Sequence, residues 1–377
     1  MRIGITCYPS HGGSGVVATE LGKTLAERGH EVAFVSYVSP LRLGDVPARV
    51  SFYEVPQFDY PLFQQHFPHC ITLASRMVEV ARMRHLQVLH VHYAIPFAPA
   101  AMLARQIAAD LDLKVVTTLH GTDVTLVGQN PIFAPITKVA ISASDAVTAV
   151  SRWLRDETVR AFGCQRDIDV IHNFVDPRRY EARDALCVPP RSCAEQVTLV
   201  HISNFRPVKR VGDVIEVFAR VHRRMRARLL LVGDGPDVSL AFRRASELGV
   251  AEDVIFVGVV DAVEPLLAAS DLLLLPSESE SFGLVALEAS AAGVPVIGSD
   301  TGGLPEVVVH GETGFLAPMG DVDAMASHAI AVLENPELRR RMGQAARRRA
   351  FQEFPADKMV PQYEAVYERV LAEESAP

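Results

Sequence analysis

Two glutamates in the second half of the chain have the type and spacing needed to hold a nucleotide sugar. Glu280 and Glu288 stand eight residues apart, after a run of leucines that predicts a buried strand. On a loop that continues into a helix, this spacing is about two helical turns, so both carboxylates can face one side. One carboxylate can accept the vicinal hydroxyls of a ribose while the other meets hydroxyls of a transferred sugar. Isolated surface glutamates are common, so the neighbouring motifs decide between sugar binding and solvated charges.

Two further segments supply groups for a diphosphate. Gly302 and Gly303 precede Pro305, a residue suited to the first turn of a helix, and predict N–H groups that face a diphosphate. In segment 204–210, Arg206 can bind a phosphate bidentately and Lys209 can act as a point charge. The formal net charge is −8, so an anionic substrate requires a local cluster of cations such as this one.

A glycine loop near the amino terminus offers a second site for an anion. Gly13, Gly15 and Ala18 fit the dinucleotide pattern G-x-G-x-x-A, which raises the alternative of an NAD enzyme. That alternative needs an acidic residue at the end of the second predicted strand, but the strand ends at Ser36, and Glu31 stands at its beginning. What remains is a loop at a helix amino terminus that can present N–H groups to a phosphate or a carboxylate.

The elements that must position these groups alternate between strand and helix patterns in both halves of the chain. Strands are predicted at residues 3–6, 32–36, 52–55, 88–92, 115–120, 146–150 and 170–172, and at 198–203, 229–232, 254–257, 272–275, 296–297 and 315–316. This alternation predicts an α/β protein with doubly wound, mostly parallel sheets. One domain covers residues 1–177 and another 197–355, with a linker at 178–196 and a cleft between the strand carboxyl ends.

Composition excludes several other classes of protein. The 377 residues suit two domains, and 49% hydrophobic with 22% charged residues indicate a folded globular chain. The negative balance argues against nucleic acid as a partner, and no apolar run reaches the ~18–20 residues that span a bilayer. Five scattered cysteines form no C-x-x-C pair, and the amino terminus shows no signal-peptide pattern. We therefore expect a cytoplasmic protein without stable membrane insertion.

The block at residues 277–318 resembles the retaining family 4 glycosyltransferases. It holds the E-x7-E spacing, then G-V-P-V-I-G-S-D-T-G-G-L-P-E at 293–306 and G-E-T-G-F-L at 311–316. The resemblance covers nearly the whole chain and implies a GT-B fold, in which two Rossmann-like domains face a cleft. It further implies that the second domain holds the donor, that the first holds the acceptor, and that a last helix within 356–377 crosses back to the first domain.

The resemblance also implies roles for individual residues. The family usually has an arginine five residues before the lysine, where this chain has Asn204, so we expect Arg206 to supply the guanidinium instead. His120 is expected to meet the 6-hydroxyl of the donor sugar. The expected catalytic residues are His120, Arg206, Lys209 and Glu280, and the expected donor-binding residues are Gly15, Asn204, Ser281, Phe282, Gly283, Leu284, Glu288, Gly302 and Gly303.

Motifs of the first half narrow the resemblance to one bacterial subfamily. These are I-G-I-T-C-Y-P at 3–9, V-H-Y-A-I-P at 91–96 and L-H-G-T-D at 119–123. Members of the subfamily transfer N-acetylglucosamine from UDP-N-acetylglucosamine to L-malate in the first step of bacillithiol synthesis. Malate is a small dianion, so its site should combine N–H donors, hydroxyls and a cation. The residues expected to bind it are Gly13, Ser14, Tyr93, Thr118, Lys138 and Asn173.

Retention without an evident enzyme nucleophile predicts attack from the front face, with the departing phosphate taking the acceptor's proton. No Asp-x-Asp pair or His/carboxylate cluster suits a divalent ion, so we expect no metal and no cofactor beyond the UDP-sugar substrate. Three alternatives stay open: another small acceptor such as inositol phosphate, a lipid acceptor, and a non-catalytic nucleotide-sugar-binding protein. The sequence also leaves a homodimer open.

Overall fold

A computed structural model describes residues 1–8, 12–40, 42–44, 48–57, 68–181 and 196–373, and it separates into two compact units. The first unit comprises Met1–Asn173 with Ala356–Pro377, and the second comprises Phe174–Pro355. Of the predicted linker, residues 182–195 lie outside the described residues.

The first unit is built on a seven-stranded sheet whose pairings are all parallel. Its elements up to residue 170 are β1 Arg2–Thr6, α1 Gly13–Glu27, β2 Glu31–Ser36, β3 Val50–Glu54, α2 His69–Arg84, β4 Val88–His92, α3 Phe97–Ile107, β5 Lys114–Leu119, α4 Thr122–Thr125, α5 Ala134–Ala143, β6 Ala146–Ala149, α6 Arg152–Phe162 and β7 Asp169–Val170. The strand order is β3-β2-β1-β4-β5-β6-β7, so the chain direction across the sheet reverses between β1 and β4. Ligands of open α/β sheets bind beyond the strand carboxyl ends at such a switch point.

The second unit is built on a six-stranded parallel sheet. Its strands and α-helices are β8 Val197–Ile202, α7 Val211–His222, β9 Ala227–Val232, α8 Val238–Glu247, β10 Val254–Gly258, α9 Glu264–Ala268, β11 Leu272–Leu275, α10 Leu284–Ala291, β12 Val296–Ser299, α11 Leu304–Val307, β13 Gly314–Ala317, α12 Val322–Glu334 and α13 Pro336–Glu353. Short 3₁₀ turns lie at Pro177–Tyr180, Pro207–Lys209 and Ala251–Asp253. The order β10-β9-β8-β11-β12-β13 places a switch point between β8 and β11.

The last helix, α14 (Ala356–Ala372), belongs to the first unit, as the resemblance predicted. Tyr363 and Tyr367 on this helix are fully buried, and the Tyr367 hydroxyl lies 2.7 Å from Nδ1 of His90 on β4. At the surface, Arg28 donates from Nε and Nη2 to the two carboxylate oxygens of Glu364, each at 2.8 Å. Packing and a bidentate ion pair therefore hold the helix on the sheet that bears the glycine loop.

Every predicted strand overlaps an observed one, because strands buried on both faces of a parallel sheet are continuous apolar runs. Gly22 of α1 shows how tightly the helices pack, since a Cβ there would lie 2.4 Å from the Phe34 ring of β2. Among the described helices, none combines the length and the apolar character needed to cross a membrane. Cys7, Cys70 and Cys164 are free thiols, while Cys187 and Cys193 lie outside the described residues.

Candidate active site

Three loops of the second unit that the sequence marked as ligand-binding are joined by hydrogen bonds. The loops follow β8, β11 and β12. The N–H of Glu278 donates to the carbonyl of Val208 at 2.8 Å, and the N–H of Gly303 donates to the carbonyl of Glu280 at 2.7 Å. The hydroxyl of Thr301 adds a bond of 3.0 Å to the carbonyl of Glu278. The cationic segment, the first glutamate and the glycine pair therefore form one continuous surface at the carboxyl end of this sheet.

An ion pair lies at the centre of this surface. Lys209 Nζ donates to Oε1 of Glu280 at 2.6 Å, and the Ser277 hydroxyl donates to the same oxygen at 2.7 Å. The side chains of Lys209 and Glu280 are 21% and 11% exposed, so the pair is largely shielded from solvent. The second carboxylate oxygen of Glu280 and the remaining ammonium protons of Lys209 are the groups left to meet a ligand.

The glycine pair differs from the prediction in one respect. The N–H of Gly303 is taken by the Glu280 carbonyl, so it is not available to a diphosphate. Gly302 has φ 61°, and a Cβ at this position would lie 2.0 Å from the Glu280 carbonyl oxygen. Only glycine fits this close approach. In the part of the chain that the structure describes, the Gly302 N–H makes no hydrogen bond and is the amide of the pair that can meet an anion.

The segment before α10 places the second glutamate. Gly283 caps the helix with φ 90°, and Glu288 lies within α10, where it is 5% exposed. Leu284 begins the helix and Ser281 precedes it, both half-buried. The Phe282 side chain is fully buried and meets the Phe354 ring edge-on, with centroids 5.6 Å apart, so only its backbone is left for a donor.

Within the cationic segment, residues 204–210, Arg206 is exposed to solvent, whereas Asn204 is partly buried. Arg206 is exposed, and within the described residues its guanidinium makes no hydrogen bond or ion pair. Asn204 is half-buried, its Oδ1 atom is buried without a partner among the described residues, and a Cβ at Gly235 would lie 2.0 Å from its carbonyl oxygen. The Asn204 backbone therefore lies against the glycine turn after β9 and its side-chain oxygen is buried, whereas Arg206 is exposed.

His201, which the sequence analysis did not single out, braces the same loop. Its Nδ1 lies 2.9 Å from the Leu274 carbonyl and its Nε2 lies 2.8 Å from the Ser203 hydroxyl. A carbonyl only accepts, so Nδ1 carries the proton and Nε2 accepts from Ser203. Ser203 Oγ in turn accepts the N–H of Phe205 at 3.2 Å. Burial lowers the pKa of His201 to about 4, so this relay stays neutral at physiological pH. The available sequence signal was a histidine in a strand otherwise made of Val, Thr, Leu and Ile.

In the first unit the glycine loop begins α1, as predicted. Gly12 is the N-cap, no side chain caps the helix, and its first turn holds no acidic residue. The N–H of Gly15 donates to the Gly12 carbonyl at 3.1 Å, so Gly15 has no free amide for the donor. Gly13 is exposed and Ser14 is 7% exposed, and their amides are the ones at the free end of the helix dipole.

Tyr93 and Thr118 have different surroundings although both end strands. Tyr93 is half-buried with φ 101°, and its ring centroid lies 5.3 Å from those of Tyr8 and His120. Burial raises the pKa of the Tyr93 hydroxyl, and hydrogen bonds with Ser14 and Thr122 oppose that rise. Thr118, by contrast, is fully buried, with its hydroxyl 2.7 Å from both His90 Nε2 and Thr148 Oγ1. The structure thus brings Tyr93 beside the glycine loop and places Thr118 in the packing beneath it.

His120 directly follows β5 and lies beside a second buried histidine. His120 Nε2 lies 2.9 Å from His92 Nδ1, and the two rings stack with centroids 5.1 Å apart. Burial lowers the pKa of His120 to about 3 and holds that of His92 well below its usual range. Both rings are therefore neutral at pH 7. With Nε2 occupied, Nδ1 is the His120 atom that can contact a substrate.

The two remaining predicted acceptor residues are Lys138 and Asn173. Lys138 is exposed on α5, and its Nζ lies 3.9 Å from the position a Cβ would take at Gly163, just past the end of α6. Since α6 starts at the carboxyl end of β6, its far end lies at the opposite edge of the sheet, so the structure does not bring Lys138 to the glycine loop. Asn173, which follows β7, is 6% exposed, and its Oδ1 has no partner among the described residues.

Comparison with known proteins identifies the family. Residues 11–179 match the model of Glycosyltransferase Family 4, and residues 190–349 match that of Glycosyl transferases group 1. The chain is 48% identical over 377 residues to the N-acetyl-alpha-D-glucosaminyl L-malate synthase of Bacillus anthracis, covering 99% of this chain and 98% of that protein. The chain belongs to the family 4 glycosyltransferases.

Two further proteins are similar to the chain at lower sequence identity. A GDP-mannose-dependent alpha-(1-6)-phosphatidylinositol monomannoside mannosyltransferase of Mycolicibacterium smegmatis is 31% identical over 294 residues, covering 73% of this chain and 75% of that protein. The crystal structure of Anabaena HepE in complex with UDP and glucose superposes with a TM-score of 0.79 at 21% identity, covering 97% of this chain and 99% of that one. The latter likeness shows the GT-B fold.

Proposed function

We propose that the protein transfers N-acetylglucosamine from UDP-N-acetylglucosamine to the hydroxyl of L-malate with retention of configuration, as the first step of bacillithiol synthesis. The observation that carries the proposal is the 48% identity to a synthase of that name, which extends over 99% of the chain. Identity at this level over the full length includes both the donor loops of the second unit and the glycine loop of the first.

The donor residues of the proposal are those of the second-unit surface. Arg206 and Lys209 meet the diphosphate, the Gly302 amide adds an N–H, and Glu280 and Glu288 accept hydroxyls of the sugar and the ribose. His120 offers Nδ1 to the 6-hydroxyl of the sugar. Hydrogen bonds between the loops preorganise Lys209, Glu280 and the Gly302 turn, so these groups stabilise charge on the departing UDP without reorganising.

The acceptor residues of the proposal are those around the α1 amino terminus. A malate carboxylate is met by the free amides of Gly13 and Ser14 and by the dipole of a 15-residue helix that has no acidic first turn. The Tyr93 hydroxyl, held near Ser14, is a further donor. Asn173 stays a proposal on the strength of its unpartnered amide oxygen, and Lys138 is no longer part of the site.

In the proposed reaction the bond between sugar C1 and the β-phosphate oxygen breaks. A bond from C1 to the malate hydroxyl oxygen forms on the same face, and the hydroxyl proton passes to the departing phosphate oxygen. The enzyme then contributes positioning and charge stabilisation rather than a covalent intermediate. In the described part of the chain, no three His, Cys, Asp or Glu side chains cluster to hold a metal. We propose that Arg206 and Lys209 provide the positive charge at the diphosphate, so that turnover needs neither metal nor cofactor.

The test is UDP release measured with a matrix of donors and acceptors. Donors are UDP-N-acetylglucosamine, UDP-glucose and GDP-mannose, and acceptors are L-malate, D-malate, L-lactate, inositol phosphate and phosphatidylinositol vesicles. L-Malate with UDP-N-acetylglucosamine should give the highest kcat/KM, and the product should carry an α linkage by NMR. Lactate lacks one carboxylate, so we expect roughly a ten- to hundredfold lower kcat/KM, the loss of one charge-assisted contact.

Other outcomes would replace parts of the proposal. If inositol phosphate or the vesicles are the preferred acceptor, the protein is still a glycosyltransferase, but malate is not its acceptor. Donor binding without turnover on any acceptor would indicate a nucleotide-sugar-binding protein. We further propose that the protein works in the cytoplasm without membrane insertion or nucleic acid, which cell fractionation and vesicle sedimentation test. Analytical ultracentrifugation tests whether it forms a homodimer.

A further inference from the structure

A buried carboxylate joins the two turns that carry Tyr93 and His120. Asp123 is 1% exposed, and its Oδ2 accepts the N–H of Ala94 at 2.8 Å, directly after Tyr93. Its Oδ1 accepts the N–H of Gly121 at 2.8 Å and that of His120 at 3.1 Å. A single side chain thus bonds to the turn after β4 through one oxygen and to the turn after β5 through the other.

Both turns have backbone conformations that need such support. Tyr93 has φ 101° and Gly121 has φ 124°, and a positive φ is costly for a tyrosine. Strain of this kind persists only where the surroundings enforce it. The centroids of the Tyr93 and His120 rings lie 5.3 Å apart. The turns fix where these rings lie, because Asp123 accepts the N–H of His120 itself and that of Ala94, the residue after Tyr93.

We propose that Asp123 is a positioning residue, whose ionised carboxylate clamps the Tyr93 and His120 turns and so aligns the acceptor contact with the sugar contact. The inference rests on the proposed function for the roles of those two rings, while the clamp itself rests on the three hydrogen bonds alone. Asp123 does not touch substrate and is not an acid or a base in the reaction.

The clamp is expected to depend on the charge of Asp123. Burial raises its pKa to about 6, and the hydrogen bonds from the Ala94, Gly121 and His120 amides oppose that rise. The neighbouring titratable groups are His92, which ends β4, Tyr93, which follows it, and His120 in the turn after β5. Tyr93 has a raised pKa, and both histidines have lowered ones, so none of the three changes charge near pH 6. Helix α6 packs against α4, and the causes that shift the pKa of Asp123 are burial and backbone amides rather than a charged side chain of that helix.

The first experiment compares Asp123→Asn with Asp145→Asn. Asparagine keeps the shape but turns one acceptor oxygen into an N–H₂ group that faces a backbone donor. Asp145 is the matched control, because its Oδ2 likewise accepts a backbone N–H, that of Val115 at 2.6 Å, while it lies at the amino-terminal edge of the same sheet. Asp123→Asn should raise the KM for malate and lower kcat, for a combined loss of about ten- to hundredfold in kcat/KM.

The readouts separate positioning from general damage. UDP binding by calorimetry should be unchanged in Asp123→Asn, since the proposed UDP contacts lie in the second unit. Hydrogen exchange should quicken at the amides of Ala94, His120 and Gly121 and not at those of α5. Asp145→Asn should lose thermal stability but keep both KM values. A fall in kcat alone, or equal kinetic behaviour of the two variants, would overturn the inference.

Two further arms keep the inference testable if a variant fails to fold or the substrate is wrong. The wild-type kcat/KM for UDP-N-acetylglucosamine at saturating malate should fall below about pH 6 with a one-proton slope. A flat profile from pH 5 to 7 would refute the role of the charge. If the wild type does not use malate, the proposed function fails, whereas hydrogen exchange in Asp123→Asn still decides whether the clamp exists.

Discussion

The ion pair of Lys209 with Glu280 allows a sharp test of the donor site. Lys209→Ala removes a cation that we propose meets the diphosphate, and it also leaves the Glu280 carboxylate without its partner at 2.6 Å. Losing one donor to a developing oxyanion costs about 10²–10³ in kcat. The Glu280 carboxylate is only 11% exposed, and without the Lys209 ammonium it repels the anionic donor. The KM for the donor should therefore rise as well.

The two effects can be separated by a double-mutant cycle. Glu280→Gln keeps the hydrogen bond from Ser277 and removes the negative charge. If repulsion contributes, the double variant Lys209→Ala/Glu280→Gln should bind UDP more tightly than Lys209→Ala alone. The catalytic loss of 10²–10³ should persist in the double variant, because the cation is still missing. Lys138→Ala is the control, since Lys138 is an exposed lysine that lies away from the site.

The assay is UDP release with the donor varied at fixed malate, together with calorimetric binding of UDP. Wild-type kcat in Lys209→Ala would refute the assignment of Lys209 to the diphosphate. Strictly additive effects of the two substitutions on UDP affinity would show that the ion pair is incidental. Loss of activity in Lys138→Ala would restore the original prediction for that residue.

Three further predictions concern the rest of the site. Glu288→Ala should raise the donor KM by roughly ten- to hundredfold with little change in kcat, because ribose contacts are alike in the ground and transition states; an equal fall of kcat would contradict this. Turnover should survive excess EDTA, and activity that is lost and then restored by magnesium or manganese would refute the metal-free proposal. The pKa of His201 is lowered from 6.5 to about 4 in the folded protein. Between pH 6.5 and pH 4, His201 is therefore protonated in the unfolded chain and neutral in the folded one. The free energy of unfolding should therefore drop as pH falls from 6.5 to 4, by on the order of 3 kcal/mol from this group. In His201→Gln, the free energy of unfolding measured with urea should depend on pH less steeply over this range, by the uptake of one proton.

The alternating pattern predicted both sheets because strands covered on both faces must be apolar throughout. Strand β11, four leucines with no exposed residue, is an example. The convergence of three ligand loops was also predictable, since the carboxyl ends of parallel strands meet at one edge. These features were predictable because each depends on a local sequence pattern, namely an apolar strand followed directly by a polar loop.

The local pattern did not show contacts between residues that are distant in sequence. Whether the Gly303 amide is free depends on the Glu280 carbonyl, which lies 23 residues away in the chain. Whether the Thr118 hydroxyl is free depends on His90 and Thr148 of the neighbouring strands. Lys138 was chosen by charge alone, and nothing in a helical pattern shows toward which edge of a sheet a long side chain points. Local sequence therefore predicts where a loop lies but not which of its polar groups are already bonded.

The shape of the loop after β8 supports the proposal that Arg206 takes the role of the family arginine that Asn204 replaces. The Asn204 backbone is pressed against Gly235, where even a Cβ would clash. The next residue, Phe205, is fully buried and has φ 35°, a conformation that turns the chain sharply. The residue after this turn, Arg206, is therefore the first to face solvent and lies three positions before Lys209. A guanidinium at position 206 thus needs no room beside Gly235, whereas a long side chain at 204 would have to leave a crowded turn.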